Sequence, residues 1–218
     1  MRSEKIVRTN NRRGQRSREE ILDVASRLMA QQGYAATSLS ALSSETGLPK
    51  SAIYHHFESK ARLLSAVMLH NAERFFGALA EAYAHPPSSG TTHERLSWHL
   101  KRTGEVFMAH PDFLRLHLIL IMSAEAKEAE VDTLITQVRL EGRSHMHRMI
   151  SSSFAAYGQE VAQVIADKLT YFAIAGFDGA FVAMQADPQR HLAAQMPQLA
   201  QAMVVLGEIY AAQLREDT

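Results

Sequence analysis

Within the eight residues Lys50 to Phe57 the chain carries an ammonium, two hydroxyls and two imidazoles, on Lys50, Ser51, Tyr54, His55 and His56. Ile53 and Phe57, four apart, form the apolar stripe of a short helix, and the polar groups fall on the rest of its surface. Side chains of these types donate to phosphate oxygens and read base edges. The other histidines do not assemble into a metal site by spacing. His93 and His99 are not one helical turn apart, His145 and His147 point in different directions on a helix, and no HExxH pattern occurs. A glycine-rich phosphate loop and a Gly-x-Ser-x-Gly elbow are likewise missing from the sequence, and no two carboxylates can be argued close in space. It therefore reads as a chain that is not an enzyme and needs no cofactor.

The elements around that helix explain how it is held. Ser38 is a good N-cap, Leu39, Leu42 and Thr46 recur at helical spacing, and Gly47 stops the helix. Leu48 plugs the turn, Pro49 suits the first turn of the next helix, and Ser59 caps a longer one with Lys60 at its start. Upstream, Ile21, Leu22, Ala25, Leu28 and Met29 form the stripe of a helix from Ser17 to Gln32 that Gly33 ends; Tyr34 is expected against Leu39 and Leu42. Three helices with a glycine turn before a polar-faced helix outline a helix-turn-helix, whose second helix enters the major groove. The DNA-contact candidates are Thr37, Ser38, Ser40, Lys50, Ser51, Ala52, Tyr54, His55, His56 and Lys60.

The run GLPKSAIYHHFESKARLL, Gly47 to Leu64, with Tyr54, His56, Phe57 and Lys60 at its centre, resembles the DNA-binding domain of the TetR/AcrR family of bacterial transcriptional regulators. The likeness extends upstream to Arg18, about the first third of the chain. Pro49 stands where the family usually has a capping Ser, and Ala61 where it usually has Glu. The resemblance implies that Tyr54, His56 and Lys60 touch backbone phosphates, and that Lys50, Ala52 and His55 set sequence preference. It also implies a small-molecule pocket among the middle helices whose occupancy spreads the two DNA-reading heads.

The 218 residues contain 46% hydrophobic positions and no cysteine, enough for a core and excluding disulfides and thiolate chemistry. Net charge is zero, yet residues 1–60 carry +4 and the remainder −4. Seven arginines and lysines in residues 1–18 face only Glu4. An arm of residues 1–16 is expected to be disordered, either as a solubilising tail or lying along phosphates. No uninterrupted apolar run reaches the roughly 18 residues of a membrane span and the basic N-terminus lacks a signal-peptide core, so a cytoplasmic location without membrane contact is expected.

Beyond Lys60 only helical patterns appear. They run from Lys60 to about Ala84, Glu94 to Ala109, Phe113 to Ala126, Val131 to Tyr157, Gln159 to Gln185 and Arg190 to Leu214, with a loop at 85–92. The fold is expected to be all-α, with a helix-turn-helix domain at 17–64 joined by a long helix to a helical ligand-binding and dimerisation domain at 65–218. Trp98, Phe107, Met108, Phe113, Leu116, His117, Leu120, Tyr171, Phe172, Phe177 and Asp178 are the candidate pocket lining, an apolar set with a few polar groups. Gln159 to Gln185 is apolar on nearly every side, so both faces need cover. A homodimer through a four-helix bundle supplies it, with Leu169, Ala173, Gly176, Ala180, Leu199, Met203, Leu206 and Tyr210 as interface candidates.

The expectation is thus a ligand-responsive, dimeric transcriptional regulator. It is read as a repressor on a palindromic operator with half-sites about 34 to 36 Å apart or a multiple of that, released by a small apolar effector. The alternative keeps the DNA binding and leaves the C-terminal domain to dimerisation or a protein partner.

Overall fold

The computed structural model describes residues 2–122, 129–187 and 189–216, with side chains described from Gly14 onward except at 129 and 130. The side chains of Arg2, Lys5, Arg8, Arg12 and Arg13, and the expected extension of the sixth helix to Ala126, lie outside the described residues. Among the described residues there is no strand. Those residues form nine α-helices: α1 Arg2–Gln32, α2 Leu39–Thr46, α3 Lys50–Phe57, α4 Lys60–Ala82, α5 Thr92–Ala109, α6 Pro111–Met122, α7 Ala129–Ser153, α8 Gln159–Ala186 and α9 Leu192–Glu216. A single 3-10 turn at Ala155–Tyr157 separates α7 from α8. The all-α reading therefore holds.

One expectation is corrected at the start of the chain. Residues 2–16, read as a disordered arm, continue α1 as helix. The physical reason is that no proline interrupts the segment, and extending an existing helix avoids the unfavourable nucleation step that an isolated segment faces.

The chain forms two compact units, Met1–Arg74 with His110–Gln137, and Phe75–Ala109 with Val138–Thr218. The first thus extends past the expected boundary at Leu64 and takes in α6. Its core is built from Ile21, Leu22, Ala25 and Met29 of α1, Leu42 of α2, Ile53 and Phe57 of α3, and Leu63, Leu64, Val67 and Met68 of α4. Phe113, Leu116 and Leu120 of α6 are buried in the same unit, and all of these are at most 5% exposed. Full burial of each such side chain is worth about 1.5–3 kcal/mol, which is why eight-residue helices too short to stand alone persist here. Arg27 pairs with Glu45 at 2.6 Å between α1 and α2, and Arg74 with Asp23 at 2.7 Å between α4 and α1.

In the second unit α9 packs on both α5 and α8. The core there comprises Leu96, Leu100, Met149, Ile150, Phe154, Ile165, Leu169, Phe177, Met196 and Met203. Tyr83, its hydroxyl bonded to Thr103, is buried enough that its pKa is raised to about 12. The α8 helix has an 18-residue window of mean hydropathy 1.2, the composition of a membrane span or of a core helix. Its Leu169, Ala173, Phe177 and Ala180 are buried within the unit. Pro197 lies inside α9 on its exposed side.

Close helix approach depends on glycine at Gly207, where an added Cβ would stand 2.3 Å from the Phe154 ring. Gly207→Ala therefore should destabilise the protein by about 1–3 kcal/mol through overpacking. Gly77→Ala, at an exposed helical site with nothing within 4 Å, should stabilise it by up to about 1 kcal/mol. Urea unfolding of both variants checks the contrast.

Candidate nucleic-acid interface

The interface is assembled from the α2 cap, the turn and α3. The Ala41 N–H donates to Ser38 Oγ at 3.1 Å, closing the N-terminal end of α2. At the other end Gly47 adopts φ 67°, a left-handed conformation that costs a residue with a Cβ roughly 1–2 kcal/mol. The turn is then stitched from α2: the Ser43 hydroxyl donates to the Leu48 carbonyl at 2.7 Å, and the Leu48 N–H donates to Thr46 Oγ1 at 3.3 Å. With the turn held and Ile53 and Phe57 buried, α3 has one orientation on α2.

That orientation leaves Lys50, Ser51, Tyr54 and His55 exposed, Tyr54 by 52%, with Ala52 and His56 half-buried. Pro49 caps α3 without a side-chain hydrogen bond, so the first turn's N–H groups and Lys50 form the electropositive end. Burial, then His55 and Arg18, hold the His56 pKa below its ordinary value, so the ring is neutral at pH 7. Ser38 and Ser40 are exposed beside this face; the Ser38 hydroxyl is already accepting the cap bond and retains its own proton to donate.

Two candidates are engaged inside the fold. Thr37 is only 1% exposed and its hydroxyl donates to the Gly33 carbonyl at 2.9 Å, so its side chain does not reach the surface. Lys60 donates from Nζ to the Ala35 carbonyl at 2.9 Å and lies 4.5 Å from the centroid of the Tyr34 ring. The lysine therefore clamps the α1–α2 connection to the start of α4, and Tyr34, expected against Leu39 and Leu42, serves as its cation–π partner. Ser59 caps α4 as its position suggested, accepting from the Arg62 N–H at 3.1 Å.

The residues proposed to line an effector pocket divide between the units. Phe113, Leu116, His117 and Leu120 are buried in the first. Trp98, Phe107, Met108, Tyr171, Phe172, Phe177 and Asp178 belong to the second, where Phe177 is buried, Met108, Tyr171 and Phe172 are exposed, and Asp178 pairs with Arg139 at 2.9 Å. Phe107 and Phe177 meet with ring centroids 5.0 Å apart. Of this set Tyr171 lines a described cleft, a polar one of about 400 Å³ with Arg143, Ser144, His147, Arg148 and Asp167. Among the described residues no cluster of three His, Asp or Glu side chains is placed to hold a metal.

The interface candidates need a correction of face. Leu169, Ala173, Ala180 and Met203 are at most 4% exposed, consumed by the unit's own core, and an added Cβ at Gly176 would meet Leu199 Cδ1 at 2.8 Å. Leu199, Leu206 and Tyr210 are partly buried against the same core. Tyr171, Phe172 and Val182 of α8 and Val205 and Ile209 of α9 are the large apolar side chains left exposed. A helix apolar all round does not reveal from its pattern which stripe faces its own chain.

Residues 21–67 match the model of the bacterial regulatory proteins of the tetR family. The HTH-type transcriptional regulator AcrR of Shigella flexneri is 40% identical over 62 residues, 28% of this chain and 29% of that protein. The HTH-type transcriptional repressor KstR2 of Rhodococcus jostii is 31% identical over 88 residues, 40% of this chain and 42% of that one. The matches thus span less than half the length of either relative. The transcriptional regulator FadR of Bacillus subtilis, solved in complex with stearoyl-CoA, superposes with a TM-score of 0.64 at 14% identity over 85% of this chain and 97% of its own, a likeness of fold. The likeness to the tetR family of bacterial regulatory proteins thus rests on residues 21–67, the helix-turn-helix segment.

Sequence reasoning left Arg18 out of the site. Its guanidinium carbon lies 5.4 Å from the Phe57 ring centroid, beneath the end of α3. The helical phase of Ile21 and Leu22 is the signal that places it there. Replacing Lys60 by Met should lower stability by about 1–2 kcal/mol, the worth of a charge-assisted hydrogen bond and a cation–π contact. A midpoint lowered by roughly 2–4 °C per kcal/mol in a thermal melt is the expected reading.

Proposed function

We propose that the chain is a cytoplasmic transcriptional repressor that binds a palindromic operator as a homodimer and is released by a small, largely apolar effector. The observation that carries this reading is the exposed face of α3, with Lys50, Ser51, Tyr54 and His55 presented by a glycine turn on a buried Ile53–Phe57 stripe. A helix so presented fits a major groove, with phosphates met by Ser38, Ser40, Tyr54, His56 and the start of α3. The matched relatives include a protein named as a transcriptional repressor.

The dimer is supported by the exposed apolar stripes of α8 and α9, Tyr171, Phe172 and Val182 with Val205 and Ile209, which a second copy would cover as a four-helix bundle. Two reading helices on one face then call for a palindrome. An effector is supported by a fold neighbour, FadR, that was solved with stearoyl-CoA. Effector and operator would favour different spacings of the two heads, so each weakens the other by the same factor.

The experiment is fluorescence anisotropy of the purified protein with DNA from upstream of its own gene. Tight binding that depends on the palindrome, weakens steeply with salt and falls by about tenfold or more in Tyr54→Ala is expected. Affinity should also rise as the pH falls from 7.5 towards 6. The sign follows from His56: its pKa is depressed in the free protein and raised by DNA phosphates, so binding takes up a proton. Sequence-indifferent binding untouched by Tyr54→Ala would refute the reading.

A further inference from the structure

The first unit contains a cleft beside the DNA-reading face, with which it shares His56. Its volume is about 450 Å³, within the range of about 300–1,000 Å³ usual for small-molecule sites. Arg18 of α1, His56 and Phe57 of α3, Glu58 of the turn, Arg62, Ser65, Ala66 and Leu69 of α4, and Leu134 and Gln137 of α7 contribute to its lining.

Three observations give the cleft a chemical preference. Two guanidinium groups face one carboxylate there, and the Arg62–Glu58 pair is long, at 3.5 Å, and exposed. The neighbouring His56 is held neutral at pH 7 by burial, His55 and Arg18, so one positive charge of the lining stays uncompensated. Second, Ser65 Oγ is fully buried yet has no hydrogen-bond partner among the described residues. A buried hydroxyl without a partner costs about 1–3 kcal/mol, which an acceptor placed in the cleft would recover. Third, Phe57, Ala66, Leu69 and Leu134 give the lining an apolar part beside the polar Thr133 and Gln137, with Leu69 48% exposed although it points from the middle of α4.

We infer that this cleft binds a monocarboxylate with a short hydrocarbon body. The carboxylate lies between Arg18 and Arg62 and accepts from Ser65 Oγ, and the hydrocarbon covers Leu69 and Leu134. Binding there does not require the protein to be a regulator, nor to have the apolar effector proposed above. Because His56 and Phe57 form one wall, its occupant bears directly on the last turn of α3.

Isothermal titration of the full chain with octanoate at pH 7.5 tests this, with octan-1-ol and acetate as probes that each lack one half of the recognised chemistry. Saturable binding of octanoate is expected, with octanol and acetate each weaker by roughly tenfold or more, the worth of a charge-assisted bond or of the buried hydrocarbon. Arg18→Gln and Arg62→Gln should each weaken octanoate by roughly tenfold, and Ala66→Trp, which fills the cleft, should abolish it. The arginines are exposed, so their variants remain decisive even where the tryptophan variant does not melt cooperatively. No octanoate binding at millimolar concentration, equal binding of octanol, or binding unchanged in the arginine variants would overturn the inference. Octanoate binding that survives alongside failure of the DNA assay would refute the regulator and leave this site standing.

Discussion

The left-handed backbone of Gly47 is the constraint on which the nucleic-acid face depends. A residue with φ 67° can be glycine at little cost, whereas a Cβ there is penalised by its own backbone, since no neighbouring atom lies within 4 Å of the position it would take. The chain can therefore reverse within Gly47, Leu48 and Pro49, and the hydroxyls of Ser43 and Thr46 fasten the reversal to α2. Everything α3 presents follows from that junction. Ile53 and Phe57 are buried because the turn aims them inward, and Tyr54 and His55 are exposed because they lie on the opposite side.

The same logic of closely approaching backbone governs the second unit at a different scale. Gly207 lets α9 ride on the Phe154 ring, and Gly104 admits Met196 at 3.5 Å from where its Cβ would lie. Small residues there serve the chain's own packing. The large side chains of α8 and α9 that this packing leaves outward are Tyr171, Phe172, Val182, Val205 and Ile209. An all-helical unit of this kind holds two apolar surfaces, one spent internally and one left outward.

The first unit was legible from sequence because its signals are local. A cap at Ser38, a glycine at 47 and a four-residue apolar spacing at Ile53 and Phe57 each name a structure within a few residues. The engagement of Thr37 and Lys60 was not legible, since the Gly33 carbonyl and the Tyr34 ring that hold them are set by how α1, α2 and α4 come together. The α8 face was hidden for a related reason: Ala173 and Ala180 look like the small residues of an inter-subunit contact, yet Gly176, on the same helix, is closely approached by Leu199 of the same chain. The continuation of α1 through residues 2–16 was obscured by composition, because a basic, apolar-poor segment has no stripe to reveal a helix.

Hydrogen exchange of the backbone amides, measured on the full chain with and without its upstream duplex, tests the central claim most directly. The account predicts slowed exchange at residues 38–41 and 50–57, the α2 cap and α3, with the amides around the Gly47 turn joining them. Slowing confined to residues 138–216, or none at all under conditions where the duplex is bound, would contradict it.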